Sequence, residues 1–325
     1  MTILRASITL PFHFKNLSMN KIYILGLLFC MTSCSEAVTQ TSGANQETSM
    51  EFNDYWYDGT AEITRYELDQ ARYGEMRSGE AVLIFVTEDF RKDKQVKYEG
   101  GDRKNVVPIL KLNFTKKFFT GIYPYSIMTS VFSSIENSET LKINTSSQEW
   151  CGHTFSQLNL KNNKYEGALY SYFQNEGDEK YIIDNVLLED EIWTLLRINP
   201  DGMPVGNIDI YPGTQFLRLK HKDNKVEKAT AKLATFKDDS ISKVPMKVYS
   251  INYADLDRKL EIIFEAEFPY KILGWNEEVL SGFGNSKMLT TRARRTHEIK
   301  SAYWSQNRRI DEKLKKDLGL NGSNY

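Results

Sequence analysis

Between residues 259 and 268 every second side chain is apolar. Leu260, Ile262, Phe264, Ala266 and Phe268 fall on one side of an extended chain, and Glu261, Glu265 and Glu267 on the other. A period of two admits one structure, a strand with one face in a core and one in water. Residues 81–86 are continuously apolar and read as a more central strand. Further strands are expected at 106–113, 123–132, 141–146, 165–173, 215–220, 226–236, 246–253 and 287–295. Turn formers such as Gly100-Gly101-Asp102, Asn162-Asn163 and Asp223-Asn224 punctuate them. Residues 66–73 suit strand or helix, and 186–196 a short helix. Residues 305–318 suit a final helix, with Ile310, Leu314 and Leu318 four apart and Gly319 as its stop. Strands in sequential hairpins predict a mainly β fold: a large curved antiparallel sheet or open barrel with a short C-terminal helix. No glycine-rich turn of the nucleotide-binding kind joins a strand to a helix, so a doubly wound sheet is not expected.

A second pattern precedes the strands. Met19-Asn20-Lys21, the apolar run from Ile22 to Met31 and then Thr32-Ser33-Cys34 have the layout of a secretory signal, too short for a membrane span. The ending Met31-Thr32-Ser33-Cys34 resembles a lipobox, in which the cysteine is acylated and becomes the new N-terminus. Translation is expected to begin at Met19. Residues 1–33 are then an export signal, 34–50 a lipidated cysteine with a polar tether, and 51–325 a single β-rich domain. The tether has no acidic cluster directly after Cys34, which favours a periplasm-facing outer-membrane location over surface export.

The whole chain carries 42 Lys and Arg against 43 Asp and Glu, a net charge of −1. Loss of Arg5, Lys15 and Lys21 with the signal moves it to −4. A basic excess, the usual mark of a nucleic-acid binder, is absent. Of the three cysteines, Cys30 leaves with the signal and Cys34 takes lipid, so Cys151 remains unpaired and stability must come from the core.

The densest chemical cluster is Glu149-Trp150-Cys151-Gly152-His153. On one extended strand Glu149, Cys151 and His153 would share a face, with Cα atoms roughly 6.5–7 Å apart. His153 could then lower the Cys151 pKa and create a thiolate nucleophile. The ordinary alternative is a small buried cysteine beside a packing tryptophan. No third histidine-rich element supports a metal, and no cofactor is expected. Arg65, Arg72, Tyr123, Tyr125 and Trp150 are candidate ligand-binding residues, because arginines and tyrosines converging in a concave sheet can grip an anionic or amphiphilic ligand. Their ordinary alternative is a set of cross-strand aromatic pairs with exposed arginines. The basic run at 290–295 and the terminal helix could meet anionic headgroups, or form a solvated face balanced by Asp311, Glu312 and Asp317.

With Tyr66-Glu67-Leu68, Ala71-Arg72-Tyr73-Gly74-Glu75, Thr120-Gly121-Ile122-Tyr123-Pro124-Tyr125-Ser126 and Gln148-Glu149-Trp150-Cys151-Gly152-His153, the mature stretch resembles an uncharacterised family of bacterial lipoproteins. Some of its members carry the label septum formation inhibitor Maf. The Ser-x-Ser-Pro-Arg-Arg motif of the Maf nucleotide pyrophosphatases is absent here, so the resemblance carries over no functional residues. A lipid-anchored antiparallel sheet is similar in outline to periplasmic lipoprotein carriers.

The expectation is a non-enzymatic periplasmic lipoprotein, anchored through N-terminal acyl chains, that binds or carries an envelope component or amphiphile and no nucleic acid. The alternatives are a Cys/His-dependent envelope enzyme and a structural partner of an envelope complex. A filled sheet interior would favour a partner protein over a carrier.

Overall fold

The computed structural model describes residues 48–320. The export signal, Cys34 and the tether up to residue 47 lie outside the described residues. Helix α1 (Met50–Trp56) leads into β1 (Ala61–Arg72), β2 (Glu75–Arg91), a two-residue β3 (Val96–Lys97), β4 (Val106–Thr120), β5 (Tyr123–Ser134), β6 (Thr140–Glu149), β7 (Gly152–Lys161), β8 (Lys164–Ser171) and β9 (Asp178–Asp184). After β10 (Leu187–Leu188) come α2 (Ile192–Ile198), β11 (Gly206–Tyr211) and α3 (Thr214–Lys220). The chain then returns to strands: β12 (Glu227–Phe236), β13 (Met246–Tyr253), β14 (Arg258–Glu265), β15 (Ile272–Ser281) and β16 (Lys287–Ser301), before α4 (Leu314–Asp317).

All the described strands join one sheet in the order β10-β11-β12-β13-β14-β15-β16-β1-β2-β4-β5-β6-β7-β8-β9, with β3 paired to β2. Nearly every neighbour is antiparallel and hairpin-linked. The exceptions are the parallel β10–β11 pair, the β11–β12 pair, whose link contains α3, and the β1–β16 ladder, which joins segments far apart in sequence (Ala61 opposite Ser301, Asp69 opposite Arg292). Bulges between Arg65 and Tyr66, Phe132 and Ser133, and Ile263 and Phe264 add the local coiling that a curved sheet needs. At Gly274, opposite Ile263, a Cβ would stand 2.3 Å from the Ala293 carbonyl oxygen, so only glycine fits this closely approached backbone.

Alternation sorts the two faces. Tyr66 and Leu68, Leu83 and Phe85, Leu112 and Phe114, Leu260 and Ile262, and Trp275 point into one continuous core. Helices α2 and α3 fill that core as a plug, contributing Trp193, Leu196, Phe216 and Leu217. Outside the curve, Ile63, Val86 and Leu318 form a small cluster that seats the C-terminal segment. The two ends of the sheet approach through side chains, with the hydroxyls of Tyr181 on β9 and Tyr211 on β11 3.2 Å apart and Asn224 Nδ2, before β12, donating to Glu179 at 2.8 Å. The sheet is therefore an open barrel with a helical plug, mainly β as its alternation predicts.

Four expectations change. Residues 215–220 are helix α3, because Phe216, Leu217 and Leu219 are buried together with Gln215 and Arg218, which hides a helical period. The terminal helix is reduced to 3-10 turns and α4, and Ile310 stays 71% exposed, so the four-residue spacing does not describe one buried face. Residues 66–73 are strand up to Arg72. Residues 186–196 divide into β10, a 3-10 turn and the start of α2.

Candidate functional site

In a meander every second hairpin turn falls at the same end. The turns β1–β2, β4–β5, β6–β7, β8–β9, β13–β14 and β15–β16 therefore form one rim of the barrel. Helix α1 closes the other end, where Phe52 packs on Phe268 and Trp56 on Phe85.

The rim is built around Arg72, the last residue of β1. Its Nη2 donates to the hydroxyls of Tyr73 and Tyr125, both at 3.0 Å, and its Nη1 to the Leu219 carbonyl at the end of α3. The guanidinium lies 4.1 Å from the Tyr73 ring centroid, an attraction that desolvation strengthens. Tyr125 stacks on Phe118 with centroids 4.8 Å apart. Tyr123 bridges outward, 5.9 Å from Tyr125 and 6.3 Å from Trp150. Arg72, Tyr123, Tyr125 and Trp150 thus come together. Arg65 does not: it lies on the outer face in mid-strand, with its Nε 3.4 Å from Glu80.

The Glu149-Cys151-His153 arrangement differs from a single strand. Trp150 and Cys151 form the β6–β7 turn, which folds His153 back opposite Gln148 on the outer face. Cys151 is exposed, and Trp150 is 70% exposed, so neither packs in a core. Glu149 Oε2 accepts from the Cys151 amide at 2.6 Å. The same carboxylate pushes the Cys151 thiol up, opposite to what a nucleophile needs. Beside it, Arg218 Nη2 stands 3.5 Å from Glu149 Oε1, with its guanidinium 4.4 Å from the Phe173 ring centroid. His221 Nδ1 hydrogen-bonds to Glu176, fastening α3 to the β8–β9 loop.

Beneath Arg72, between the plug and the wall, is a cavity of about 40 Å³. Lys116, Gln70, Gln215, Glu277 and Asp190 face it among Phe114, Trp193 and Trp275. Arg258 donates to both oxygens of Glu189 and, at 2.7 Å, to Glu277. Asp190 Oδ2 accepts from the Thr214 amide at 2.8 Å and its hydroxyl at 2.6 Å, at the start of α3. Burial pushes the Asp190 carboxyl up to about 6 and that of Glu191 up to about 7. Burial also pushes the Lys116 ammonium down. Glu277 feels the same burial, but Arg258 and Lys116 outweigh it and hold its carboxyl low. Sequence reasoning missed this cavity, although one signal was available: Lys116 shares the inward period of Phe114 and Phe118. Among the described residues no cluster of His, Cys, Asp and Glu is placed to hold a metal.

No family model matches the chain, and no curated protein does. Among solved structures it is similar to the crystal structure of a β-barrel-like protein of the domain of unknown function DUF1849 from Brucella abortus. The two share 10% identity over 74% of this chain and 97% of that one, with a TM-score of 0.43.

Proposed function

We propose that this protein is a lipid-anchored, non-enzymatic binding module of the bacterial envelope that holds an envelope component at its aromatic rim. One observation carries the reading: Arg72, Tyr123, Tyr125 and Trp150, from three hairpins, converge at one end of the barrel. Around them the turns display Ile122 at 80%, Tyr172 at 78% and Phe283 at 83% exposure. Large apolar side chains gathered on one surface favour an interaction site. At the opposite end two of the turns, Glu136-Asn137-Ser138-Glu139 and Asn162-Asn163, are polar throughout.

The plugged interior offers an acyl chain no lumen, which favours a surface partner, an envelope protein above all, over carriage inside the barrel. Acylation at Cys34 and a periplasm-facing outer-membrane location belong to the same reading and rest on the lipobox. Helix α1 enters at the end away from the rim. Residues 35–49 can span at most roughly 50 Å, enough to hold the barrel clear of its membrane. The enzyme alternative gains nothing from the geometry, since His153 is turned away from a thiol whose pKa is raised.

The test is site-specific photo-crosslinking in intact cells from Ile122 and Phe283, with Asn163 and Ile310 as controls. Discrete protein adducts confined to the rim positions are expected. Adducts spread equally over both ends, or none from the rim, would sink the reading. Mass spectrometry of the N-terminal peptide checks the acyl group on Cys34.

A further inference from the structure

The cavity beneath the rim is lined by more donors than it satisfies. Lys116 is only 6% exposed, yet no acceptor among the described residues lies within hydrogen-bond or ion-pair distance of its ammonium. Its neighbours are instead the Phe114 and Trp275 rings, with centroids 5.1 and 5.9 Å from Nζ. Two more buried donors on the same wall lack partners, Arg72 Nε and Trp275 Nε1. Two acceptors are also without partners among the described residues, Oε1 of Gln70 on the strand of Arg72 and Oε1 of Gln215 on α3. A buried ammonium without an acceptor is costly, and the usual remedies are water or an anion.

Charge points the same way. Arg258 is engaged by Glu189 and Glu277, and Asp190 by Thr214. Lys220 at the mouth is held by a neutral carbonyl, that of Leu280 at 2.8 Å. Among the described residues no carboxylate stands within ion-pair distance of Lys116, Arg72 or Lys220; Glu277 attracts both lysines across the cavity, but its own hydrogen bond goes to Arg258. A space of about 40 Å³ admits a water or two, or one carboxylate-sized group, and excludes a sugar ring or an acyl chain.

The geometry points to a small-anion pocket under the rim, in which Lys116, assisted by Arg72 at the mouth, takes a single carboxylate-sized group. The source is either a free small anion or an acidic group presented by whatever docks on the rim. The second source rests on the rim reading above; the first stands without it.

The full chain in detergent micelles is titrated with sodium formate, ionic strength being held with gluconate, which is too bulky to enter. Emission from Trp193 and Trp275, which border the cavity, reports occupancy. A saturable change is expected, with half-saturation in the millimolar range, accompanied by a rise in Tm. Lys116→Met should weaken it at least tenfold. Should that variant fail to fold, the wild-type titration decides alone. A response that is linear or absent overturns the pocket as a site for anything but water and leaves the rim reading untouched. The crosslinking from Ile122 is then repeated in saturating formate. Loss of adduct assigns the pocket to a partner's acidic group, and unchanged adduct assigns it to a free anion.

Discussion

Two buried cations in this barrel are treated in opposite ways. Arg197, on α2, is fully buried; it donates to both oxygens of Glu62 at 2.5 and 2.7 Å and to the Pro269 carbonyl at 2.9 Å. Trp56 and Phe85 flank its guanidinium at 4.9 and 4.8 Å, and Tyr55 gives Glu62 a further hydrogen bond. Lys116 is also buried, beside aromatic rings of the same kind, and has no acceptor in reach among the described residues. The first arrangement is closed: every strong group meets another, and it locks the plug to the wall at the α1 end. The second is open and lies under the rim. Where a fold leaves a buried charge unanswered beside a cavity, the missing partner is sought outside the chain.

The contrast can be broken by mutation. Arg197→Met leaves Glu62 buried without its cation and should cost about 3–5 kcal/mol of unfolding free energy, the range for a broken buried pair. Urea denaturation measures it. Lys116→Met removes an unanswered charge at similar volume and should change stability by less than about 1 kcal/mol, or raise it. Equal losses in the two variants would mean that Lys116 is structural as well.

Next in size is a pH effect from the plug. Asp190 and Glu191 have folded pKa values raised by burial to about 6 and about 7. A carboxyl group raised in this way takes up its proton more readily folded than unfolded. Its contribution is full below the unfolded value and is lost as pH rises through the folded one. Stability should therefore increase by roughly 2 kcal/mol as pH falls from 8 to 5, which is a Tm rise of some 4–8 °C by scanning calorimetry. Below the ordinary carboxylate range the trend should reverse. The Glu62 carboxyl feels burial, but Arg197 outweighs it and holds the pKa down, so protonating it undoes the pair. A Tm flat between pH 8 and 5 would contradict the closed packing of the plug.

The smallest effects belong to the rim. Glu149→Gln removes the carboxylate that raises the Cys151 thiol, so alkylation by iodoacetamide at pH 7.5 should quicken several-fold; an unchanged rate would place Glu149 elsewhere in solution. Trp150→Ala should shift stability by less than about 0.5 kcal/mol, as befits a side chain 70% exposed, while reducing crosslinking from Ile122. A loss comparable with that of Arg197→Met would make the rim a packing feature.

The legible parts of the fold are those where one face meets water. The period of two expected over 259–268 appears as β14 only up to Glu265, broken by the bulge after Ile263, whereas 246–253 appears in full as β13; polar outer residues such as Lys259, Glu261, Ser250 and Asn252 mark the faces, and outward Met246 and Ile263 pack in a small cluster of their own. It fails where polar residues point inward. In β15 the inward residue is Glu277, answered by Arg258 on the next strand, and nothing local announces that partner. Strand β7, with polar residues on both faces near the sheet edge, has no contrast to read. The rim was half legible. Arg72, Tyr123, Tyr125 and Trp150 stood out for their residue types, yet their meeting depends on the sheet closing on itself. Arg65, equally prominent by type, lies one residue before a bulge and faces outward. Lys116 was hidden by its neighbour Lys117, since two lysines side by side read as solvated charge until their opposite faces are known.

The order of strands also bears on how the chain reaches this state. The edges β9 and β10 are consecutive in sequence, whereas β1 and β16 lie side by side in the sheet. Two runs of neighbouring hairpins, β1 to β9 and β12 to β16, can each assemble from short loops. One ladder, from Ala61 opposite Ser301 to Asp69 opposite Arg292, requires the chain to close a loop of more than two hundred residues. Loop closure on that scale is the slow step for a mainly local topology. The half-sheets should gain protection from hydrogen exchange early, with the amides of β1 and β16 last. Until that ladder forms, two unpaired strand edges face solvent, and this is the stage at which the molecule is most exposed to aggregation.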